Sequence, residues 1–299
     1  MQYGKRSAGA TAFAVFNYAI MIGASLFCLL PFVNLIAISF SDSVKVAAGE
    51  VMFWPIGFNL SSYRFIMMSE KFVRSFGISV VRVILGVSIN LVVIVLTAYP
   101  LSKSSRNFKS RTAYAWFFIV TMLFSPSLIP SYMVINSLGL MNTIWALVLP
   151  GALPIFNMVV MLNFFRNLPP ELEEAARVDG AGHIRILAQI YIPLSKPSLA
   201  TIMLFCIVSH WNSWFDGIIY MNSPMNYPLQ SYLQTIVVNP EVLMRVTRPS
   251  EELAKLLMSV NDKTSKAAQL FIAMIPILII YPLLQKYFTT GLVVGSVKG

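Results

Sequence analysis

The sequence predicts an all-α integral membrane protein with six transmembrane helices, and three observations point there. Hydrophobic residues make up 57% of the chain and charged residues 11%, against about 25% charged in a soluble domain. Six windows are apolar over the roughly 20 residues a helix needs to cross a bilayer. The short connections between them also differ sharply in basic charge. All six are expected to be helical, because lipid offers no partner to an unpaired backbone N–H or C=O.

The first span is read as Ala12–Ile38. Lys5 and Arg6 before it resemble the start of a signal peptide, but the apolar run is too long and no small-residue cleavage site is clear, so it is expected to be an uncleaved anchor. The others are Phe76–Leu101, Ala113–Ile135, Thr143–Phe165, Leu199–Tyr220 and Ala267–Phe288. Lys103, Arg106, Lys109 and Arg111 follow span two, whereas Asn136 to Asn142 after span three carries no charge. Short loops obey the positive-inside rule best, so the former is cytoplasmic, which puts both termini and the loop after span four inside. Segments Ser39–Ser75 and Met221–Lys266 then face outward. Pro126 and Pro130, Pro150 and Pro154, and Pro276 and Pro282 punctuate spans three, four and six, where each removes a backbone hydrogen bond and can kink its helix.

Several function classes fall away. The formal charge of +10 would suggest nucleic acid in a soluble protein, but topology accounts for most of it here. Cys28 and Cys206 lie inside spans, away from any ligand cluster, and are expected to pack; there is no metal spacing. No G-x-x-x-x-G-K-[ST] loop occurs to cradle ATP phosphates, and neither H-E-x-x-H nor G-x-S-x-G is present. The two histidines, His183 and His210, fall on opposite membrane sides. With no internal repeat, residues 1–299 read as a single membrane domain without catalytic residues or a bound cofactor.

The loop spanning 166–196 is the most informative stretch. Leu168-Pro169-Pro170 opens it, proline suiting the first turn of a helix because its missing N–H would be unpaired there. Glu171, Glu173 and Glu174 occupy that electropositive turn. Glu173 stands four residues before Arg177, Leu172, Ala175 and Ala176 share a face, and Gly180 can take the positive φ that ends a helix. A second short helix is expected from Gly182 to Gln189, with Ile184, Leu187 and Ala188 on one side and Pro193 as its stop.

Glu174-Ala175-Ala176, three residues, Gly180, nine residues, then Ile190-Tyr191-Ile192-Pro193 closely resembles the loop of binding-protein-dependent ABC importer permeases, with Ile192 where leucine is common. The resemblance implies the type I ABC importer transmembrane domain, with a permease core over 72–290. It also implies a coupling helix that sits in a groove of an ATP-binding subunit, involving Glu173, Glu174, Ala175, Ala176, Asp179, Gly180, Ile190 and Pro193. Ser137-Leu138-Gly139-Leu140-Met141-Asn142-Thr143, Trp211-Asn212-Ser213-Trp214 and the tail Gln285-Lys286-Tyr287-Phe288 ending in Gly295-Ser296-Val297-Lys298-Gly299 look like the sugar permeases. In particular they look like the second membrane subunit of maltose-type importers. Ala98-Tyr99-Pro100-Leu101-Ser102 looks like a branch associated with complex oligosaccharides. The implied partners are a second homologous permease, an ATPase dimer holding ATP and Mg, an extracytoplasmic solute-binding protein, a carbohydrate and membrane lipid, with no nucleic acid. The implied location is the bacterial cytoplasmic (inner) membrane, and the tail residues Gly295, Lys298 and Gly299 are implied to touch the ATPase dimer. A permease for a non-sugar solute, or a membrane scaffold or sensor without transport, are the alternatives.

A polar path is suggested by Asn212 and Asp216, four apart in span five, because an ionisable residue in a membrane helix faces protein or water rather than lipid. Trp211 and Trp214 offer faces for a sugar ring, although Trp also belongs at membrane interfaces. Arg82 in span two could neutralise an acidic sugar or snorkel from the outer end of its helix.

Overall fold

The computed structural model describes residues 8–124, 126–238 and 259–295. Among these, regular structure is helical and no strand occurs. Three helices are each long and apolar enough to cross a membrane: Gly9–Ser39, Glu70–Ser102 and Asp262–Gln285. Three bent pairs also pass the length-and-composition test together, Arg111–Leu123 with Leu128–Ser137, Ile144–Gly151 with Ile155–Arg166 bent by 46°, and His183–Leu194 with Lys196–Asn212 bent by 81°, which gives up to six spans among the described residues if each pair counts as one.

The chain divides into two compact units. One comprises Met1–Ser69 and Ile236–Ala273. It holds α1 (Ala8–Ser39), α2 (Ser43–Ala47) and α3 (Ser61–Met68). Asp42 caps α2 by accepting hydrogen bonds from the amides of Val44 and Lys45, which satisfies donors a helix start otherwise leaves open. Phe40 stacks on Phe58 and Tyr63, with ring centroids 5.5 and 4.8 Å apart. The Asn261 amide donates to the Ser43 carbonyl at 2.6 Å, tying down the segment just before the last helix.

The second unit comprises Glu70–Thr235 and Met274–Gly299. Its axis is α4 (Glu70–Ser102), followed by α5 (Arg111–Leu123), α6 (Leu128–Ser137), α7 (Ile144–Val148) and α8 (Ile155–Arg166). The loop helices α9 (Pro170–Val178), α10 (His183–Ile186) and α11 (Ile192–Leu194) precede α12 (Lys196–Asn212), α13 (Phe215–Tyr220) and α14 (Leu229–Val238). The last helix, α15, runs Asp262–Gly295 across both units. Helix α4 packs most extensively against α8 and α12, around Ile94, Ala98, Met161, Phe165, Ile202 and Cys206. This pairing is close because α4 carries glycine where it meets α12: a Cβ on Gly86 would lie 2.4 Å from Nε2 of His210.

The prolines act unequally. Pro150 lies in a 3-10 turn, Leu149–Gly151, and Pro154 is the extended residue from which α8 starts, so span four is broken where its prolines remove consecutive-turn hydrogen bonds. Span three is interrupted between Leu123 and Leu128, the segment that contains Pro126. Pro276 and Pro282 sit inside an unbroken α15. Span five ends earlier than its sequence suggests. Helix α12 stops at Asn212, Ser213 is extended, and α13 restarts at Phe215, so Asn212 and Asp216 do not share a continuous helix.

The Gly86 contact gives a direct test. Gly86→Ala should destabilise the detergent-solubilised protein by about 1–3 kcal/mol through overpacking. Gly77→Ala on the same helix, where the added Cβ meets nothing within 4 Å, should change stability by no more than about 1 kcal/mol, in the favourable direction. Thermal melting of the two variants checks the pair.

Candidate functional site

The loop after α8 is two helical arms around a glycine corner. Pro170 occupies the start of α9, Glu171 and Glu173 lie in its first turn and Arg177 in its last. The arm closes when the Ala181 amide reaches back to the Ala176 carbonyl at 2.9 Å and that of Gly180 to Arg177 at 3.0 Å. Gly180 has φ +75°, a conformation that costs a β-carbon residue dearly. The second arm corrects the expected Gly182–Gln189 helix. It runs as α10, a π turn over Leu187–Tyr191, and α11, so Pro193 does not stop it. The wider turn ahead of Pro193 accommodates a ring that would clash with the i−4 carbonyl of a regular α-helix. The chain turns instead at Ser195, where α12 begins with Lys196-Pro197.

One carboxylate holds the first arm to the spans. Glu173 accepts from Lys103 Nζ at 2.6 Å and from the Tyr191 hydroxyl at 2.6 Å on Oε2, and from Arg177 Nη2 at 2.8 Å on Oε1. Lys103 leaves the C-terminal end of α4 and its ammonium lies 3.8 Å from the Tyr99 ring centre and 4.0 Å from that of Tyr191. The two rings meet edge-on at 5.0 Å, and the Tyr99 hydroxyl lies 3.3 Å from His183 Nδ1 on the second arm. A lysine that is 7% exposed is tolerated because a carboxylate and two π faces replace its water.

Burial alone would raise the Glu173 pKa, but the hydrogen bonds from Lys103, Tyr191 and Arg177 outweigh it and bring it down to about 2. Burial pushes Lys103 the other way from its pairing, below the ordinary lysine value. The asymmetry follows from the partners, since Glu173 has three donor side chains and Lys103 a single carboxylate. Burial and then the Glu173 hydrogen bond raise Tyr191.

The opposite side of the loop is uncovered. Glu174, Ala175, Asp179 and Gly180 are exposed, and Val178 and Ile184 are exposed by 88% and 85%. Leu172 and Ala175 therefore face out while Ala176 turns inward, and in the second arm Ile186, Leu187 and Tyr191 are buried whereas Ile184 and Ala188 are exposed, which reorders the faces expected from sequence. Arg177, Gly180, Ala181, Gly182, His183 and Ile186 line a cleft of about 360 Å³ at the corner.

A second polar cluster lies among α4, α7, α12 and α13. Arg82 is not a snorkelling residue. It is 2% exposed and pairs with Asp216 through both terminal nitrogens, Nη1–Oδ1 at 3.1 Å, while also donating to the carbonyls of Ser213 and Leu147 at 3.3 and 3.4 Å. Asp216 further accepts from the Ser213 hydroxyl and the Gly217 amide at 2.9 Å each. About two helical turns further along α4, Asn90 donates to the carbonyls of Gly151 and Ala152 at 2.7 and 2.9 Å, and its oxygen lies 2.8 Å from His210 Nε2. Trp211 is buried with its ring edge-on to Phe76 at 5.7 Å, so it packs and presents no free face. Asn212, Trp214 and Phe215 are exposed on this chain. Gly295 ends α15, and Lys298 and Gly299 lie outside the described residues.

Lys103, Tyr191, Asn90 and His210 are given no site role by the sequence alone. Lys103 counts there only as one basic residue of a cytoplasmic loop, and Tyr191 sits between the motif's Ile190 and Pro193; no spacing rule links either to Glu173 across 70 and 18 positions.

Removing Lys103 tests the clamp. Lys103→Met should cost about 2 kcal/mol, less than the ~3–5 for stripping one partner from a fully buried pair, because Arg177 and Tyr191 remain. The depressed Glu173 carboxyl contributes stability that is complete above its unfolded value of ~4.3 and is lost as pH falls through that value toward about 2. Melting curves from pH 7 to pH 3 should therefore show an acid-linked loss in the wild type that is reduced in Glu173→Gln. Equal acid slopes in the two proteins would remove the clamp's contribution.

Residues 91–294 match the family described as "Binding-protein-dependent transport system inner membrane component". Over 294 residues the chain is 36% identical to Protein LplC of Bacillus subtilis (strain 168), covering 96% of this chain and 95% of that one. It is also 36% identical over 287 residues to the polygalacturonan/rhamnogalacturonan transport system permease protein YtcP of the same organism, covering 96% and 98%. Among solved structures, a chain of a bacterial ABC transporter involved in the import of the acidic polysaccharide alginate superposes with a TM-score of 0.86 at 31% identity, covering 95% of this chain and 99% of that one. The loop and spans described above are thus those of a multi-pass permease, and this chain belongs to the family of binding-protein-dependent transport system inner membrane components.

Proposed function

We propose that this chain is one of two permease subunits of an ATP-driven importer of oligosaccharides, working by alternating access with a second permease, an ATPase dimer and a solute-binding protein. The observation that carries the proposal is the two-sided loop. Its inner side is fixed to α4 by Glu173 and Lys103, and its outer side offers Leu172, Ala175, Val178 and Ile184 to a partner. Exposed apolar side chains of this kind mark an interaction site. The chain has no phosphate-cradling motif, so nucleotide chemistry belongs to a partner. Carbohydrate as cargo is supported by the relatives, whose names include polygalacturonan/rhamnogalacturonan transport and import of alginate.

The orientation with both termini in the cytoplasm gains support from the same contact. Lys103 belongs to the basic connection that the positive-inside rule assigns to the cytoplasm, and it touches Glu173, so both loops share one side. Arg82 offers no free cation for an acidic sugar, since Asp216 neutralises it. Asn212 and Trp214 remain the candidates for lining a path at the interface with the second permease, and Gly295, Lys298 and Gly299 for the tail contact with the ATPase.

Coupling is tested by Gly180→Val and Glu174→Lys. The first forces a β-branched residue to positive φ, which costs about 1–3 kcal/mol, and the second reverses an exposed charge. Uptake in proteoliposomes should fall at least tenfold in each while membrane insertion persists; normal import by both would overturn the docking role. For the path, Asn212→Leu removes both hydrogen-bonding functions of the amide. Uptake should change unequally across oligosaccharides of different length, whereas an equal loss with reduced complex yield would assign Asn212 to packing. A permease for a non-sugar solute would import none of that panel.

A further inference from the structure

Beyond the transport path, an apolar surface in the first unit is left exposed among the described residues. Between Val51 and Tyr63 there is no Asp, Glu, Lys, Arg or His. Met52, Phe53, Trp54 and Phe58 are all exposed, Trp54 by 81%. The backbone of this loop is well fixed. The Ile56 amide donates to Ser41 Oγ at 3.0 Å, the Asp42 amide to the Ile56 carbonyl at 3.0 Å and the Asn59 amide to the Phe40 carbonyl at 3.0 Å. Large apolar side chains held outward on an ordered loop need an explanation other than poor packing.

The position of the loop along α1 supplies it. Asn34 donates from Nδ2 to the Met52 carbonyl at 2.5 Å, so the loop folds back beside the helix instead of standing beyond its end. Asn17 and Asn34 bracket Tyr18–Val33, 16 residues (18 to 33 inclusive) without a charge, or about 24 Å of helix. A hydrocarbon layer ~30 Å thick, spanned by about 20 residues and centred on that stretch, has its boundary within about one turn of Asn34. None of the apolar window of α1 is buried in this chain, so the exposed surface of the loop continues the apolar surface of the span. The neighbouring charges, the Lys45–Glu50 ion pair at 2.9 Å and Asp42, belong to α2 and the residues flanking it. Apolar and aromatic side chains at the hydrocarbon boundary, on a stretch that carries no charge of its own, form the composition of a membrane-interface anchor.

We infer that the Met52–Phe58 loop rests in the headgroup layer of the bilayer beside the C-terminal end of α1, with Trp54 and Phe53 as its lipid contacts. This fixes the depth and rotation of α1 independently of which solute is carried. Trp54 is the principal anchor, because its ring is apolar while its N–H can still meet headgroup oxygens.

The test is immersion depth in the assembled transporter. Met52→Cys, Phe53→Cys and Trp54→Cys are made in a Cys28→Ser background, Cys206 being buried, and spin-labelled in lipid nanodiscs. Collision with oxygen, which partitions into lipid, is compared with collision with a water-soluble nickel chelate. The oxygen-to-nickel ratio should exceed that of Val44→Cys, exposed on α2, several-fold, and should not change when solute-binding protein is added. A ratio equal to that at Val44 means the loop stands in water and overturns the proposal. Labels shielded from both reagents mean a protein covers the surface and overturn it too. Should one replacement prevent assembly, the other two read the same surface.

Discussion

A carbonyl that loses its helical partner inside a bilayer must find another, because no water is there to replace it. That constraint shapes the second unit. Span four is broken around Pro150 and Pro154, and the freed carbonyls of Gly151 and Ala152 are taken by the Asn90 amide. Span five is broken at Ser213, and the Ser213 carbonyl is taken by Arg82, which also reaches Leu147. The breaks are thus capped features, each closed by a polar side chain from the unbroken helix α4. The charge of Arg82 is itself closed by Asp216, whose remaining lone pairs accept from Ser213 and Gly217. Taking away any one of these groups leaves another buried polar atom without a partner, which is what makes such clusters cooperative.

The loop between spans four and five obeys the complementary logic. An exposed helix of nine residues has little reason to keep its place by propensity alone. Glu173 gives α9 a fixed inner side by gathering Lys103, Tyr191 and Arg177, so that the outer side, with Leu172, Ala175 and Val178 beside Glu174, can stay uncovered. The neighbouring glutamates divide the work: Glu173 is turned in and paired, and Glu174 is turned out.

Much of this was legible in the sequence because it depends on local rules. The spans follow from apolar run length, the start of α9 from Pro170, its end from Gly180, and the Glu173–Arg177 pair from helical spacing. The family follows from the spacing of the Glu-Ala-Ala motif. What the sequence hid is non-local. Lys103 and Glu173 are 70 residues apart, and Arg82 and Asp216 are 134 apart, so neither pair leaves a periodic trace. Arg82 reads from sequence as either a cation for an acidic sugar or an end-of-helix snorkelling residue, because composition cannot say which partner a charge meets. Pro193 looked like a stop because the usual penalty assumes a regular α-helix, and a π turn relaxes that assumption. The break at Ser213 carries neither proline nor glycine and so gives no warning.

One helix joins these separate features. Helix α4 has 33 residues, about 50 Å, and near one end Lys103 follows it into the clamp on the loop. Around its middle it carries Asn90, Gly86 and Arg82 in succession, which meet the break in span four, the His210 face of α12 and the break in span five. An α-helix is stiff along its axis, whereas a broken span can change its angle at the break with the loss of few hydrogen bonds. If α9 takes the docking role proposed for it, a push on it would have a polar route into the membrane through Glu173 to Lys103, along α4, and out through side chains bonded to the two places where the neighbouring spans are broken.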